Sequence, residues 1–237
     1  MALKLLKIQT RPDYVDEVYN VLVNAICDGS LAPGARITQE EIAEQLAVSR
    51  SPVLQALRLL KKDGLVQDAP GRGVLVAPLE ASTLADIYQI RGCIDSLAAR
   101  LAAQRRAVLD PALIEHGRQS SRDGDVRAMI DADIEFHFAV YAASGNPLIA
   151  ETARAHWVHL RRVMGAMLQV AGQRASIWDE HASIAKAIAH GNVKLAMELS
   201  EFHTARALEH LLAGLDDVLS STKRGEDTVV AEEMPAF

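Results

Sequence analysis

Aromatic residues are scarce in this chain: Phe, Trp and Tyr together make up 4% of its 237 residues. β-branched runs are few as well, and Ala and Leu dominate, which favours helices over sheets. Only two cysteines occur, Cys27 and Cys93, both inside helix-patterned segments. They exclude a disulfide framework and read as small core residues. No run approaches the length of about 18 apolar residues that a membrane span needs. The opening MALKLLKIQT has an apolar patch but neither a long apolar core nor a small-residue cleavage site, so no signal peptide is read. The expected compartment is the cytoplasm, with no membrane partner. Apolar residues at 49% and charged residues at 24% describe a globular chain rather than a disordered one.

The net charge of −6 is unevenly spread. Residues 1–76 hold nine basic and nine acidic residues, whereas residues 77–237 hold 16 basic and 22 acidic ones. Within residues 49–72, Arg50, Arg58, Lys61, Lys62 and Arg72 face only Asp63 and Asp68. This local basic excess suits a phosphate backbone.

Residues 13–28 place Val15, Val18, Leu22 and Ile26 at helical spacing, with Gly29 as a stop and Pro33-Gly34 as a turn. Thr38 followed by Glu41 reads as a capping box opening a short helix that ends near Leu46. Ser51 followed by Pro52 reads as an N-cap with proline at the first helical position, and that third helix ends near Asp63. Strand-like Leu65-Val66-Gln67 and Gly73-Val74-Leu75-Val76 flank the hairpin tip Pro70-Gly71-Arg72-Gly73. Three helices and a hairpin define a winged helix-turn-helix. Ser49, Arg50 and Ser51 would approach phosphates and base edges of duplex DNA, and Arg72 at the wing tip would contact the backbone or minor groove. Recognition of two DNA half-sites would require a homodimer.

Residues 31–76 resemble the N-terminal domain of the GntR family of regulators. The resemblance is carried by Pro33-Gly34-Ala35-Arg36-Ile37, Val48-Ser49-Arg50-Ser51-Pro52-Val53, Ala56-Leu57, Gly64-Leu65-Val66 and Gly71-Arg72-Gly73. It implies DNA contacts from Ser49, Arg50, Ser51 and the Gly73 region. Leu54-Gln55 departs from the Arg-Glu common in that family, which removes one expected contact.

Past Pro78 the pattern is all helical, over about residues 80–105, 110–122, 125–144, 147–171, 177–190 and 193–214. The reading is mainly α: a winged helix-turn-helix over 8–77, an antiparallel helical bundle over 79–215, and a polar, acidic tail over 216–237 read as disordered.

Four residues of the bundle carry chemistry. Asp133 and His137 are four apart and share a helix face with Ile130 and Tyr141. His181 lies 10 residues before Gly191 and His203 lies 11 after Asn192, so antiparallel packing puts both about 15 Å from the turn. Asp133 and His137 stand 12 and 8 residues before Gly145, at comparable height. A carboxylate and three imidazoles converging there make a site for a divalent metal ion, with Zn, Ni, Mn or Fe chemically suitable. His116, His156, His190 and His210 read as surface or internally satisfied histidines. Arg91 falls within the apolar face of Leu84, Ile87, Ile94, Ala98 and Leu101. It reads either as a structural ion pair, with Asp95 or an acid on another helix, or as a clamp for an effector carboxylate. Arg162 and His159 are candidates to line the same cavity.

The second half resembles the FCD effector domain of the FadR subfamily of GntR regulators, over about residues 84–211. The matching residues are Asp133-Ile134-Glu135-Phe136-His137, Ser144-Gly145-Asn146-Pro147, His181 with Ile184, Gly191-Asn192, and His203. The resemblance implies a metal site formed by Asp133, His137, His181 and His203, favours the clamp reading of Arg91, and implies an allosteric regulator, usually a repressor, answering to a small carboxylate effector. The competing reading is a metalloenzyme, since open metal positions can activate water. Against it, no general base beyond the ligands and no nucleophile motif is found. A purely structural metal is a third reading.

Overall fold

A computed structural model describes residues 14–168 and 175–232, with side chains described over 14–165 and 176–215. The chain forms two compact units that part between Ala77 and Pro78, with residues 27–30 grouped with the second.

The first unit holds α1 (Tyr14–Cys27), β1 (Arg36–Ile37), α2 (Gln39–Gln45), α3 (Arg50–Lys62), β2 (Val66–Asp68) and β3 (Val74–Val76). The apolar stripe of α1 buries Val18, Leu22 and Ile26, and α3 buries Val53, Ala56, Leu57 and Leu60. Thr38 does form a capping box, with Glu41 reaching back to its backbone. The N-cap of α3 is Ser49 rather than Ser51, so Pro52 sits at the third helical position. Proline is tolerated there because the first four N–H groups of a helix have no intrahelical partner.

The hairpin expected from the sequence gains a third strand, in the order β1-β3-β2. Two residues, Arg36 and Ile37, pair with Leu75 and Val74, a strand too short to leave an alternating pattern. Gly73 shows why this junction needs glycine. Its φ is +87°, and a Cβ there would lie 2.5 Å from the Ile37 carbonyl oxygen.

The second unit is a helical bundle: α4 (Ala81–Gln104), α5 (Ala112–Asp123), α6 (Val126–Ala143), α7 (Pro147–Leu168), α8 (Ala175–Ala189) and α9 (Val193–Glu232). The breaks between helices are chemically specified. Asp110 accepts from the Ala112 N–H, Asn146 from Leu148 and Asn192 from Leu195, each across a turn. Asp125 caps α6 by accepting from the Ala128 N–H, and Gly124 ends α5 with φ of +71°. Residues 169–171, expected at the end of α7, lie outside the described residues, as do residues 8–13 and 233–237.

Two expectations are corrected. The last helix continues to Glu232, through most of the segment read as a disordered tail. The segment contains Gly225 but no proline before Pro235, and a helix already formed extends at one hydrogen bond per added residue. Cys93 is exposed, unlike the buried Cys27, because it lies on the side of α4 away from its packed face.

The core gathers large aromatics among small alanines. Ala98, Ala99, Ala102 and Ala103 of α4 are fully packed, as are Phe136, Trp157, Trp178 and Leu160. Gly117 of α5 lets Trp178 in: a Cβ there would fall 1.9 Å from the indole Cζ2. The indole donates to the Ser121 hydroxyl at 3.1 Å and meets the His181 ring edge-on at 4.8 Å. Gly117→Ala is therefore expected to destabilise the bundle by about 1–3 kcal/mol, the usual cost of overpacking a filled core. Both tryptophans, Trp157 and Trp178, stand in this unit, so urea unfolding followed by tryptophan fluorescence reads it directly. An unchanged midpoint would show that Trp178 does not pack against α5.

Candidate functional site

In the first unit the residues expected at DNA lie at the start of α3 and at the wing tip. Ser49, Arg50 and Ser51 are exposed at the start of α3, and the Ser49 hydroxyl makes no cap bond. Arg50 pairs with Glu40 at 3.2 Å, but both side chains are largely exposed, so the pair holds the guanidinium weakly. Leu54 is 40% exposed on α3. Arg72 is exposed at the wing tip. Arg36 fastens that tip through its Nε to the Arg72 carbonyl at 2.9 Å and through Nη2 to the Pro70 carbonyl at 3.0 Å. The role of Arg36 was not read from the sequence, because it depends on β1.

In the second unit Asp133, His137, His181 and His203 are all buried. They come from α6, α8 and α9. One ligand atom from each of the three histidines can be chosen so that all lie within 4.8 Å of one another. His181 Nε2 is 3.2 Å from His203 Nε2 and 3.5 Å from Asp133 Oδ1. The level-matching read from the sequence thus brings the four side chains into one cluster.

Burial holds both His137 and His181 well below the ordinary histidine pKa, and the Arg91 guanidinium adds to it in both cases. Their rings are neutral and carry lone pairs. Burial raises the Asp133 carboxyl, against the opposing pull of Arg91 and His203. The donor set fits a first-row divalent ion. His181 Nδ1 is buried with no hydrogen-bond partner, so the three imidazoles do not satisfy one another. His137 Nε2 is the exception in the set: it already accepts from Arg91 Nη2 at 2.8 Å, a bond that ligation through that atom would have to displace.

Arg91 is 4% exposed. Its Nε donates to Asp95 at 3.1 Å, its Nη1 to the Tyr88 hydroxyl at 3.1 Å, and its guanidinium lies 4.6 Å over the Trp157 ring. The ion pair with Asp95 is the structural reading made from the sequence. Asp95 also accepts from the Tyr141 hydroxyl at 2.5 Å, and Tyr141 in turn accepts from Trp157 Nε1 at 3.2 Å. Burial pushes the Tyr88 hydroxyl up to about 12, so it stays protonated.

A cavity of about 290 Å³ opens beside the cluster. Tyr88, Arg91, Asp133, Glu180, His203 and Arg206 supply its polar wall, and Met129, Met164, Ile177, Trp178 and Leu211 much of its apolar one. Arg162 and His159 are not among its lining residues. Along α7, Arg162 is turned about 140° and His159 about 160° from Trp157, the face that meets Arg91. His210, set aside in the sequence, does line the cavity.

Glu180 went unread, although a signal was present. It stands 11 residues before Gly191, as His203 stands 11 after Asn192, so antiparallel packing pairs them. Its Oε2 lies 2.9 Å from His203 Nδ1 and its Oε1 accepts from Arg206 at 2.6 Å. Burial alone would raise the Glu180 carboxyl, but the hydrogen bond from His203, with Arg206, outweighs it and lowers its pKa.

Comparison with known proteins agrees with this architecture. Residues 14–76 match the family described as bacterial regulatory proteins of the gntR family, and residues 86–213 match the FCD domain. An HTH-type transcriptional regulator in an unstable DNA locus of Streptomyces ambofaciens is 31% identical over 207 residues, covering 85% of this chain and 84% of that protein. The Nta operon transcriptional regulator of Aminobacter aminovorans is 37% identical over 129 residues, covering 52% of this chain and 60% of that one. A solved GntR transcriptional regulator from Rhodococcus sp. RHA1 superposes with a TM-score of 0.72 at 27% identity, covering 84% of this chain and 97% of that one. These families and relatives are transcriptional regulators, not enzymes, and GntR regulators bind operator DNA and typically act as dimers. A helix-turn-helix unit followed by a helical FCD unit is thus what this chain shares with them: it belongs to the GntR family of transcriptional regulators and carries an FCD domain.

Proposed function

We propose that the chain is a repressor, acting as a homodimer, whose helical unit binds a small organic acid at a divalent-metal site and thereby changes operator binding. The observation that carries this reading is the cavity. Two residues of the Asp133, His137, His181 and His203 cluster, Asp133 and His203, line it, together with Arg91 and Arg206. At about 290 Å³ it is at the small end of ligand sites. Bound there, a divalent ion would supply a Lewis-acidic anchor for a carboxylate oxygen. Arg91 would offer a second contact, since a guanidinium matches a carboxylate bidentately.

The chain's own residues provide the route to a response. The lining comes from α4 (Tyr88, Arg91), α5 (Ser121), α6 (Met129, Asp133), α7 (Met164), α8 (Trp178, Glu180) and α9 (His203, Arg206). A ligand touching all six can favour one packing of the bundle over another, which is the differential interaction that allostery requires. The second half of the response lies in Ser49, Arg50, Ser51, Arg72 and Gly73, the first four as DNA contacts and Gly73 as the residue that lets the wing approach β1. Helix-turn-helix dimers read half-sites about one helical turn apart, so a change in dimer geometry alters operator affinity.

Two measurements test this. Thermal unfolding of the protein with small mono-, di- and hydroxy-carboxylates, with and without added divalent metal, should show an acid that raises Tm only when metal is present. His203→Ala should abolish that rise while leaving DNA binding measurable. A rise that survives both chelation and His203→Ala would overturn the metal-held effector. For the DNA face, Arg50→Ala should weaken binding to a duplex selected from random sequence and reduce the slope of log K against log salt by about 1, as loss of one phosphate contact does. An unchanged slope would remove Arg50 from the interface.

A further inference from the structure

We infer that Glu180 is a positioning residue of the metal site, fixing the tautomer and the ring orientation of His203 so that Nε2 faces the histidine cluster. The inference rests on the metal reading above. A carboxylate accepts hydrogen bonds and cannot donate them, so at 2.9 Å from Glu180 Oε2 the His203 Nδ1 must carry the proton. In the neutral ring Nε2 is then left with its lone pair, and this is the atom 3.2 Å from His181 Nε2.

Glu180 is itself held. Its Oε1 accepts from Arg206 Nη1 at 2.6 Å while Oε2 serves His203, so neither oxygen is free to rotate away. The His203 side chain is 2% exposed and that of Glu180 is 17% exposed, which leaves little room for water to take over the bond. Glu180 is carried by α8 and His203 by α9, so the bond also ties together two helices that each bring a candidate ligand. The other two histidines lack this support. His181 Nδ1 has no partner, and His137 Nδ1 is 3.6 Å from Asp95 Oδ2, beyond hydrogen-bond reach. Metal-ligating imidazoles ordinarily donate their second N–H to such a carboxylate, which orients the ring and raises its basicity. Among the three, His203 is therefore the ligand the protein prepares in advance.

The test uses the full-length protein and two readouts. In metal-free protein, nitrogen-15 NMR of the histidine side chains should show His203 protonated at Nδ1, and E180L should populate the other tautomer. In competition with a chromogenic chelator, E180L should bind zinc or nickel about 10–100-fold more weakly than wild type, as loss of such an outer partner typically does. E180Q, nearly isosteric and able to accept from Nδ1–H through its amide oxygen, should recover part of that loss. This partial rescue separates positioning from damage to the fold, which tryptophan fluorescence checks for each variant. Wild-type metal affinity in E180L, or a His203 that bears no proton at Nδ1 in the wild type, would overturn the inference while leaving the metal reading intact. A wild-type protein with no affinity for either metal would overturn both.

Discussion

A guanidinium buried in a helical bundle is the constraint around which the second unit is organised. Arg91 cannot reach bulk water, and an isolated buried charge is too costly to persist, so its surroundings must supply both counter-charge and acceptors. Asp95, one turn along the same helix, supplies the charge. The Tyr88 hydroxyl and His137 Nε2 take two further N–H groups, and the Trp157 face covers the cation. Asp95 needs its own donors and finds them in Tyr141 and, at 3.5 Å, Thr204. A single charge thus recruits side chains from α4, α6, α7 and α9. Removing either partner of the Arg91–Asp95 pair would leave the other unbalanced in a medium of low dielectric.

The same network accounts for where the aromatics are. The chain has only ten, yet Tyr88, Tyr141, Phe136, Trp157 and Trp178 each meet Arg91 or one of the clustered histidines. Elsewhere in the bundle, alanine-rich contacts bring helices close together without them. Large rings are concentrated where polar groups must be shielded from water and their hydrogen bonds strengthened by exclusion of solvent. Gly117 belongs to this arrangement, because the space it leaves is the space Trp178 occupies beside His181.

Much of this was legible in the residues. Helix spans followed from apolar periodicity, and their ends from Asp110, Asn146 and Asn192, residues whose side chains cap by hydrogen bonds that depend only on local sequence. The meeting of His181 and His203 was legible because α8 and α9 are joined by a tight turn, so distance from Gly191-Asn192 converts directly into height. That logic also reaches Glu180, 11 residues before Gly191, which apolar periodicity does not mark out. What periodicity could not reveal was long-range and two-residue in scale. β1 is too short for any alternation. The extension of α9 past residue 214 follows from helix propagation rather than from an apolar face. Arg162 and His159 failed to reach the cavity because ambiguous facing on α7 is resolved only by which neighbour Trp157 meets.

Charge balance connects the network to the proposed effector. Around the cavity and beneath it stand three carboxylates, Asp95, Asp133 and Glu180, against two guanidinium groups, Arg91 and Arg206, with His137 and His181 neutral. Counting Asp133 as ionised and His203 as the neutral ring, the interior carries a slight excess of negative charge, which would repel an organic acid. A divalent cation reverses the sign of that excess and leaves room for one carboxylate to restore neutrality. The ordering that follows is physical: acid affinity should depend on prior occupation of the histidine cluster, since Arg91 and Arg206 already spend their charge on Asp95 and Glu180. On this argument two guanidinium groups on the wall would not by themselves be enough to hold an acid, and under the proposed function the histidine cluster and the cavity would act as one site rather than two adjacent ones.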